Sequence, residues 1–463
     1  MIFKHEELRN KTDGYYVIGK EVSAEANAVL DRQVLKELWT GYAFRCSEIE
    51  FKHTDECCFC IGSPQKIMCG EHAYSINVDK NGIFLAAKNE RNLIYAYMTL
   101  LDLMRMSDSG EVQIDYCEIR ENPLIERRMI HFCVLPDSQI WEIERFVRLC
   151  GALKYTHIII EFWGMLKYDC LKELSWEHGL SKDEIRPIIK EANDMGMEVI
   201  PMFNHWGHAS QSRVKHGKHV VLNHNPKLQY LFSDDGWRWN IKNEKTRKLL
   251  RNIRAELIEL CGDGEYFHMG CDEAYGFGFT DEEMKEVCDF INETADELEK
   301  DNRKAIIWAD MLLYNSPDYN KNNKYTAFAP NKKCADFMTE HLNKKIILAD
   351  WQYDSAETPI ETAITLKNKN FNTLLCPWDR GLEISKACAQ TVKEYNLYGI
   401  LHTTWHTLSG GSYYIVKIAT ECWSNFREEN ILYLTKTAEV LRKVYFTDGD
   451  YEKSGWAEYE IED

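Results

Sequence analysis

The chain contains 463 residues, of which 44% are apolar and 28% are charged, and its formal net charge is −18. This length exceeds one ordinary domain, and the composition is that of a folded protein with a sizeable core, which excludes extensive disorder. The acidic balance argues against nucleic acid as a partner, because binding to phosphates requires a basic surface.

The first residues, MIFKHEELRNKTDGYYVIG, carry charges where a secretory signal needs an unbroken apolar core. No stretch approaches the roughly 18 apolar residues of a membrane span, so we expect no membrane partner. Sixteen cysteines, mostly within apolar segments, indicate reduced buried thiols rather than a disulfide framework. Together these features predict a cytoplasmic protein, unless a signal has been removed.

Residues 1–122 alternate short apolar runs with polar turns. The segment AYSINVDKNGIFLAA predicts a hairpin, and ERNLIYAYMTLLDLMRM has the apolar spacing of a helix. Cys57 and Cys60 have the CxxC spacing of zinc sites, but no second CxxC pair is present, so we interpret them as thiols of a strand. We predict a small α+β domain over 1–122, ended by the proline and charge cluster of RENPLIERR.

From residue 123 the pattern changes to apolar strand, polar loop and amphipathic helix. This alternation predicts a parallel sheet, and eight units in about 300 residues are the count of a (β/α)8 TIM barrel. An open doubly wound sheet is the alternative, but no strand is followed by its GxGxxG turn. We therefore predict an α/β fold with the barrel over 123–430 and a helical, acidic tail over 431–463. The predicted strands are MIHFCV (129–134), HIIIEF (157–162), EVIPMF (198–203), EYFHMG (265–270), KAIIWA (304–309), KIILAD (345–350), NTLLCP (372–377) and YGILHT (398–403).

Candidate site residues stand where these strands end, because barrel enzymes place their chemistry at the C-terminal ends of the strands. Several of these positions hold tryptophan or a carboxylate. Aromatic faces stack on the C–H faces of a sugar, and charged groups bond to its hydroxyls, although a tryptophan taken singly is more often a packing residue. The positions are Arg128 just before the first strand, then Glu161, Trp163, Asn204, His205, His208, Asp272, Glu273, Trp308, Asp310, Trp351, Tyr353, Asp354, Trp378, Asp379, Trp405 and His406.

The adjacent acids Asp272 and Glu273 raise a geometric question. Neighbouring residues of a strand point to opposite faces, but beyond the strand end the backbone is free to turn, and Gly270 relaxes it further. Both side chains can then reach the mouth of the barrel. A solvated loop or helix N-terminus is the other interpretation of the pair.

A metal site formed by His205, His208, His268 and Asp272 is a further alternative. The HxxH spacing differs from that of a HExxH helix, and no HxH follows the first strand. We therefore predict no metal in the site.

The sequence resembles the family 20 glycoside hydrolases, the β-N-acetylhexosaminidases, in the order of RMIH at the first strand, FNHWGHAS after the third and HMGCDE after the fourth. The most specific element is a His-x-Gly-x-Asp-Glu motif, formed by His268, Gly270, Asp272 and Glu273. The resemblance extends from about residue 74 to residue 405. It implies a retaining exo-enzyme, without cofactor, that hydrolyses terminal β-linked GlcNAc or GalNAc of an oligosaccharide or glycoconjugate.

The resemblance also implies a mechanism, in which the 2-acetamido oxygen of the substrate attacks the anomeric carbon. Glu273 would be the general acid and then the general base, and Asp272 would orient the acetamido group. One carboxyl must be protonated while its neighbour is ionised, and repulsion between adjacent acids favours that difference.

Further binding roles follow from the same resemblance. Arg128 would hold the 3- and 4-hydroxyls, with Arg127 as a rival, and His208 would hydrogen-bond the general acid. The residues that would line the acetamido pocket and the sugar face are Trp308, Trp351 and Trp405. Asp310 and Trp378, which are expected from their places at the strand ends alone, complete the set of substrate contacts.

Two positions depart from the family pattern. Thr407 stands where the family has a glutamate that binds the 4- and 6-hydroxyls of the sugar. The seventh strand ends in CPWD, where the family has a tyrosine that binds the acetamido oxygen. We expect Tyr353 to substitute for that tyrosine and Asp379 to contact a hydroxyl. The departures predict a divergent member.

Two other functions stay open from the sequence. Loss of the family's tyrosine and glutamate positions would suit a degenerate barrel that binds glycans without cleaving them. A glycosidase that uses two protein carboxylates, with Glu161 or Asp310 as the nucleophile, would act on sugars that lack the acetamido group.

Overall fold

The computed structural model describes residues 9–210, 221–317, 324–378, 382–405, 412–423 and 430–445. Its strands form two eight-stranded sheets, one before and one after residue 125. Within the described ranges, no helix is both long and apolar enough to cross a membrane.

The first sheet is mixed and carries two helices. The predicted hairpin is present, with Asp79 paired to Gly82 across its turn. The sheet order is β1-β8-β5-β6-β4-β2-β3, with β7 on β8, and all pairs are antiparallel except β2 with β3. The elements are β1 (Arg9–Ile18), β2 (Glu21–Asn27), α1 (Gln33–Tyr42), β3 (Glu48–Thr54), β4 (Cys58–Gly62), β5 (Tyr74–Asp79), β6 (Gly82–Ala87), α2 (Glu90–Leu103), β7 (Arg105–Met106) and β8 (Val112–Glu121).

The second sheet is the predicted barrel, and the fold prediction is confirmed. All neighbouring strands are parallel, in the order β11-β10-β9-β16-β15-β14-β13-β12, and a bridge between Met202 and His268 brings the two ends together. The strands are β9 (Arg128–Cys133), β10 (His157–Glu161), β11 (Glu198–Pro201), β12 (Tyr266–His268), β13 (Lys304–Trp308), β14 (Ile347–Trp351), β15 (Asn372–Cys376) and β16 (Gly399–Thr403).

Helices follow the barrel strands. Capping boxes at some of their first turns, such as Ser181 with Glu184 and Thr280 with Glu283, satisfy backbone N–H groups. The helices are α3 (Ile140–Ala152), α4 (Lys182–Asp194), α5 (Val221–His224), α6 (Glu244–Cys261), α7 (Asp281–Lys300), α8 (Lys332–His341), α9 (Glu361–Asn368), α10 (Leu382–Tyr395), α11 (Ser412–Trp423) and α12 (Asn430–Tyr445). The domain boundaries at 122 and 430 stay predictions, and residues 446–463 of the proposed tail lie outside the described residues.

Apolar side chains fill the barrel interior. Met129, Ile159, Ile306 and Leu401 belong to one buried cluster of inward-facing residues from alternate strand positions. Residues two or four positions further along each strand therefore face inward nearer its C-terminal end. This register brings the candidate site residues to one end of the barrel.

A buried polar network joins the first sheet to the barrel. The Lys154 ammonium is fully enclosed and donates to the Tyr74 hydroxyl at 3.2 Å and to Thr99 Oγ1 at 2.5 Å. Glu121 accepts from Tyr74 and, at 2.8 Å, from Trp423 Nε1. Burial lowers the pKa of Lys154 to about 8, while the negative charges of Glu121 and Asp102 oppose that fall.

Candidate active site

The loop after β12 turns both acids toward one point. Cys271 and Glu273 adopt positive φ angles of 73° and 47°, which are costly for residues with side chains. At Gly207 an added Cβ would lie 1.9 Å from the Asp272 carbonyl oxygen, so the loop after β11 packs directly against this turn. The turn that the sequence analysis expected beyond the strand end is therefore present.

His208 lies between the two carboxylates. Its Nε2 atom is 3.2 Å from Asp272 Oδ2 and 3.7 Å from Glu273 Oε2. Asn204 Nδ2 donates to the other Asp272 oxygen at 3.2 Å. Asp272 is thus buried and held from two sides, whereas the Glu273 side chain keeps 19% of its surface exposed.

Two side chains fix the backbone of Glu273. Its N–H donates to Asp310 Oδ2 at 2.9 Å, and its carbonyl accepts from Trp237 Nε1 at 2.6 Å. Asp310 Oδ1 also accepts from Trp351 Nε1 at 3.2 Å. Both Asp310 oxygens are therefore engaged within the protein, and its predicted contact with substrate stays a prediction.

Asp310 is almost completely buried beside Asp272. Burial raises the pKa of Asp310 well above its usual range, and the neighbouring Asp272 charge raises it further. Asp310, which follows β13, therefore lies in electrostatic contact with both acids of the loop after β12. This arrangement disfavours the ionised form of Asp310.

Aromatic rings from four strand ends form one side of the site. Tyr353 lies 5.0 Å from Trp351 and 5.2 Å from Trp378, measured between ring centroids. Its hydroxyl accepts from Trp405 Nε1 at 2.7 Å. Trp405 in turn lies 5.4 Å from Trp308, which is fully buried. The predicted aromatic residues are thus one connected cluster.

Within that cluster, Trp351 and Trp405 are partly exposed while Trp308, Tyr353 and Trp378 are buried. The exposed faces can stack on a ligand, and the buried rings support them. Asp379, His406 and Thr407 lie outside the described residues.

The structure corrects the prediction for Arg128. It is the first residue of β9, so it lies at the N-terminal end of the barrel, opposite the loop that carries the acids, and only 1% of it is exposed. Its guanidinium donates to the carbonyl oxygens of Lys154, Ile125 and Glu126. Arg127, the rival, bonds to the Tyr266 hydroxyl at the same end. Neither arginine can hold a sugar at the acidic loop, because strand direction separates them from it.

The contacts of His205 and His268 do not support the metal site that the sequence left as an alternative. His205 donates to the Phe203 carbonyl through Nδ1, and His268 Nδ1 accepts from the Gly270 N–H. Burial lowers the pKa of His205 to about 3. Among the described residues, a different group of metal-ligand types lies close together, on β9 and β10.

Trp237 is a site residue that the sequence analysis missed. It lies in the long segment between β11 and α6, where no periodic pattern indicated its position. Its indole bonds to Glu273, and its ring lies 4.6 Å from that of His208. The cluster GWRW gave only a weak signal, because isolated tryptophans are usually packing residues.

Comparison with known families agrees with this architecture. The family description "Glycosyl hydrolase family 20, catalytic domain" matches residues 167–405, more than half of the chain. The chain belongs to glycosyl hydrolase family 20. The match begins after β10, so it includes the acidic loop and the aromatic cluster but not β9.

Two characterised proteins are similar in sequence. Lacto-N-biosidase of Bifidobacterium bifidum is 21% identical over 369 residues, which are 73% of this chain and 29% of that protein. Hexosaminidase D of Bos taurus is 30% identical over 131 residues, which are 28% of this chain and 36% of that protein. The chain thus spans about a third of the length of the curated relatives that it matches.

Solved structures share the fold. The exo-β-N-acetylglucosaminidase of Vibrio harveyi in complex with N-acetylglucosamine superposes with a TM-score of 0.70 at 14% identity, covering 96% of this chain and 77% of that one. The β-N-acetylhexosaminidase of Bacteroides fragilis gives 0.66 at 16% identity, covering 97% and 95%. At these identities the likeness establishes the fold.

Proposed function

We propose that this chain is a retaining exo-β-N-acetylhexosaminidase that removes terminal β-linked GlcNAc or GalNAc by substrate-assisted catalysis. The observation that supports this proposal most directly is that His208 Nε2 lies within 4 Å of both Asp272 and Glu273, beside a cluster of aromatic rings. Names of the related proteins and structures support a substrate that contains an amino sugar.

In the first step, Glu273 gives its proton to the glycosidic oxygen as the bond between that oxygen and C1 breaks. The carbonyl oxygen of the 2-acetamido group forms a new bond to C1, which yields a cyclic oxazolinium ion and the free alcohol. Asp272 accepts the acetamido N–H and stabilises the positive charge of the ring.

In the second step, the Glu273 carboxylate takes a proton from water, and the water oxygen bonds to C1 as the acetamido oxygen leaves. The two inversions give net retention of the β configuration. The residual exposure of Glu273 suits this exchange with leaving group and water, whereas buried Asp272 suits a group that only orients and stabilises.

The aromatic cluster supplies the rest of the proposed pocket. Trp351 and Trp405 offer their faces to the sugar, and the Tyr353 hydroxyl, oriented by Trp405, donates to the acetamido oxygen. Tyr353 would thereby replace the tyrosine that the family has near the seventh strand. Burial raises the pKa of Tyr353 well above its usual range, so it is a neutral donor.

Hydrolysis of aryl β-GlcNAc and aryl β-GalNAc tests the proposal. We expect turnover of at least one substrate, with a loss of about 100-fold or more in Glu273→Gln and Asp272→Asn. Glu282→Gln, an exposed position on α7, is the matched control and should keep full activity. Absence of turnover, or a Glu273→Gln variant as active as the wild type, would contradict the proposal.

Binding of a thiazoline mimic of the oxazolinium ion separates a catalytic site from a glycan-binding one. A catalytic site should bind this mimic at least about 100-fold more tightly than free GlcNAc. Equal affinities, together with absent turnover, would favour a degenerate barrel that only binds glycans. Turnover of an aryl β-glucoside, which lacks the acetamido group, would favour two protein carboxylates instead.

A further inference from the structure

Three side chains of metal-ligand type meet inside the barrel, on strands other than β12, which the acidic loop follows. They are His131 and Cys133 on β9 and Glu161 on β10, and their donor atoms all lie within 4.8 Å of one another. All three are buried. The glycosidase steps proposed above use none of them.

The strands themselves build this cluster. His131 and Cys133 are two positions apart on β9, so both side chains point into the barrel. Glu161 pairs with Cys133 in the register of β10 and β9. Because these three groups stand on paired strands, they are held in place by backbone hydrogen bonds, as a preorganised site requires.

The donor separations fit one small metal ion. They are 2.9 Å from His131 Nε2 to Glu161 Oε2, 3.5 Å from Cys133 Sγ to Glu161 Oε2, and 3.9 Å from Cys133 Sγ to His131 Nε2. Zinc binds nitrogen and oxygen at about 2.0–2.2 Å and sulfur at about 2.3 Å, which places tetrahedral ligands about 3.3–3.6 Å apart. The 3.5 Å separation lies in that interval; the 2.9 Å contact, a hydrogen bond between His131 and Glu161, is about 0.4 Å shorter, and the 3.9 Å contact is about 0.3 Å longer.

Chemistry also favours zinc among common cations. One thiolate, one imidazole and one carboxylate suit zinc, whereas magnesium and calcium prefer oxygen ligands alone. The two negative ligands offset the charge of a divalent ion, which is the condition for enclosing it in a buried site. Three protein ligands leave a fourth coordination position for water or a ligand oxygen.

The cluster borders the aromatic side of the proposed pocket. The His131 ring lies 4.6 Å from that of Trp405 and 5.9 Å from that of Trp308. Its Nδ1 atom is buried and has no hydrogen-bond partner among the described residues. An ion on Nε2 would therefore lie near Trp405, one of the two rings that are proposed to contact the sugar.

We propose that His131, Cys133 and Glu161 form a zinc-binding site at the floor of the barrel mouth. The site is independent of the glycosidase proposal, because neither hydrolytic step requires a metal. Binding exchanges the Cys133 thiol proton for the ion, and that proton passes to solvent, so no oxidant or reductant is needed.

Titration with cobalt(II) chloride tests the site on the full chain after dialysis against a chelator. We expect one Co²⁺ per chain, an absorption band from thiolate-to-cobalt charge transfer, and displacement by Zn²⁺. Cys133→Ser should abolish the band and weaken Co²⁺ binding by at least about 100-fold, since it removes a ligand directly. Glu161→Gln should weaken binding without removing the band.

Matched controls distinguish this site from other thiols. Cys376→Ser removes another buried, inward-facing thiol of the barrel on β15, and Cys60→Ser removes one thiol of the CxxC pair. Both should leave the band and the stoichiometry unchanged. Glu273→Gln should do the same, so metal binding is read separately from hydrolysis.

X-ray absorption spectroscopy of the zinc-loaded wild type identifies the ligands without any substitution, so it tests the proposal even if a variant fails to fold. We expect one sulfur at about 2.3 Å with nitrogen and oxygen neighbours at about 2.0–2.2 Å. Two or more sulfur neighbours, absence of sulfur, failure to bind Co²⁺, or an unchanged band in Cys133→Ser would each overturn the proposal.

Discussion

Asp310→Asn tests whether Asp310 acts by positioning the proposed general acid. The aspartate accepts two hydrogen bonds, from the Glu273 N–H and from Trp351 Nε1. Asparagine keeps one acceptor oxygen and places an NH₂ group against the other donor. One buried N–H then loses its partner, at a cost of about 1–3 kcal/mol.

The hydrogen bond that would be lost holds Glu273, whose backbone is already strained. Glu273 has a φ of 47°, a conformation that costs about 1–2 kcal/mol and persists only because its neighbours hold it. Releasing it moves the carboxyl away from the glycosidic oxygen. If about 2.7 kcal/mol of transition-state stabilisation is lost, kcat falls about 100-fold, with little change in KM because the sugar contacts remain.

Steady-state hydrolysis of the aryl glycoside, beside thermal unfolding, measures this effect. The matched control is Asp350→Asn, which alters another buried aspartate with two side-chain hydrogen bonds, to Gln352 and Thr362. Both variants should lose stability, but only Asp310→Asn should lose kcat. A kcat within about threefold of the wild type, or an equal loss in the control, would refute the reasoning.

Three further predictions concern residues that touch the site or support it. Trp237→Phe keeps an aromatic ring but loses the hydrogen bond to the Glu273 carbonyl, so kcat should fall about tenfold in the same assay. An unchanged kcat would show that this hydrogen bond does not position Glu273. Arg128→Lys should lower the free energy of unfolding, measured by urea denaturation, by about 3 kcal/mol and leave KM unchanged. A raised KM with unchanged stability would instead indicate that Arg128 contacts the sugar. Lys154→Met should remove a pH dependence: the buried charge destabilises the wild type by about 3 kcal/mol below pH 8, and this cost is relieved as pH rises from about 8 to 10.5. The difference in unfolding free energy between wild type and Lys154→Met should therefore shrink or reverse over that interval, and a constant difference would contradict the lowered pKa.

The barrel strands could be predicted from the sequence because they are buried on both faces. A segment such as HIIIEF is a continuous apolar run, and polar loops and amphipathic helices separate it from the next. Every predicted strand overlaps an observed one, from β9 to β16. The same reasoning placed Asp272, Glu273 and His208 at one end of the barrel, where the structure brings them together.

The errors and omissions also have physical causes. Arg128 is the first residue of β9, and the direction of that strand alone was enough to place it at the other end of the barrel. Trp237 lies in a long irregular segment, and the sequence carries no rule that relates such a residue to Glu273. The alternation of His131 and Cys133 was visible, but the register that brings Glu161 beside them comes from strand pairing.

The rate of hydrolysis across aryl glycosides whose 2-acetamido group carries zero, one, two or three fluorine atoms tests the central claim most directly. Fluorine withdraws electron density from the carbonyl oxygen that is proposed to attack C1, so each addition weakens the nucleophile. The account predicts that kcat falls steeply and continuously along the series. A kcat that is independent of fluorine content would show that the acetamido group is not the nucleophile and would contradict the proposed mechanism.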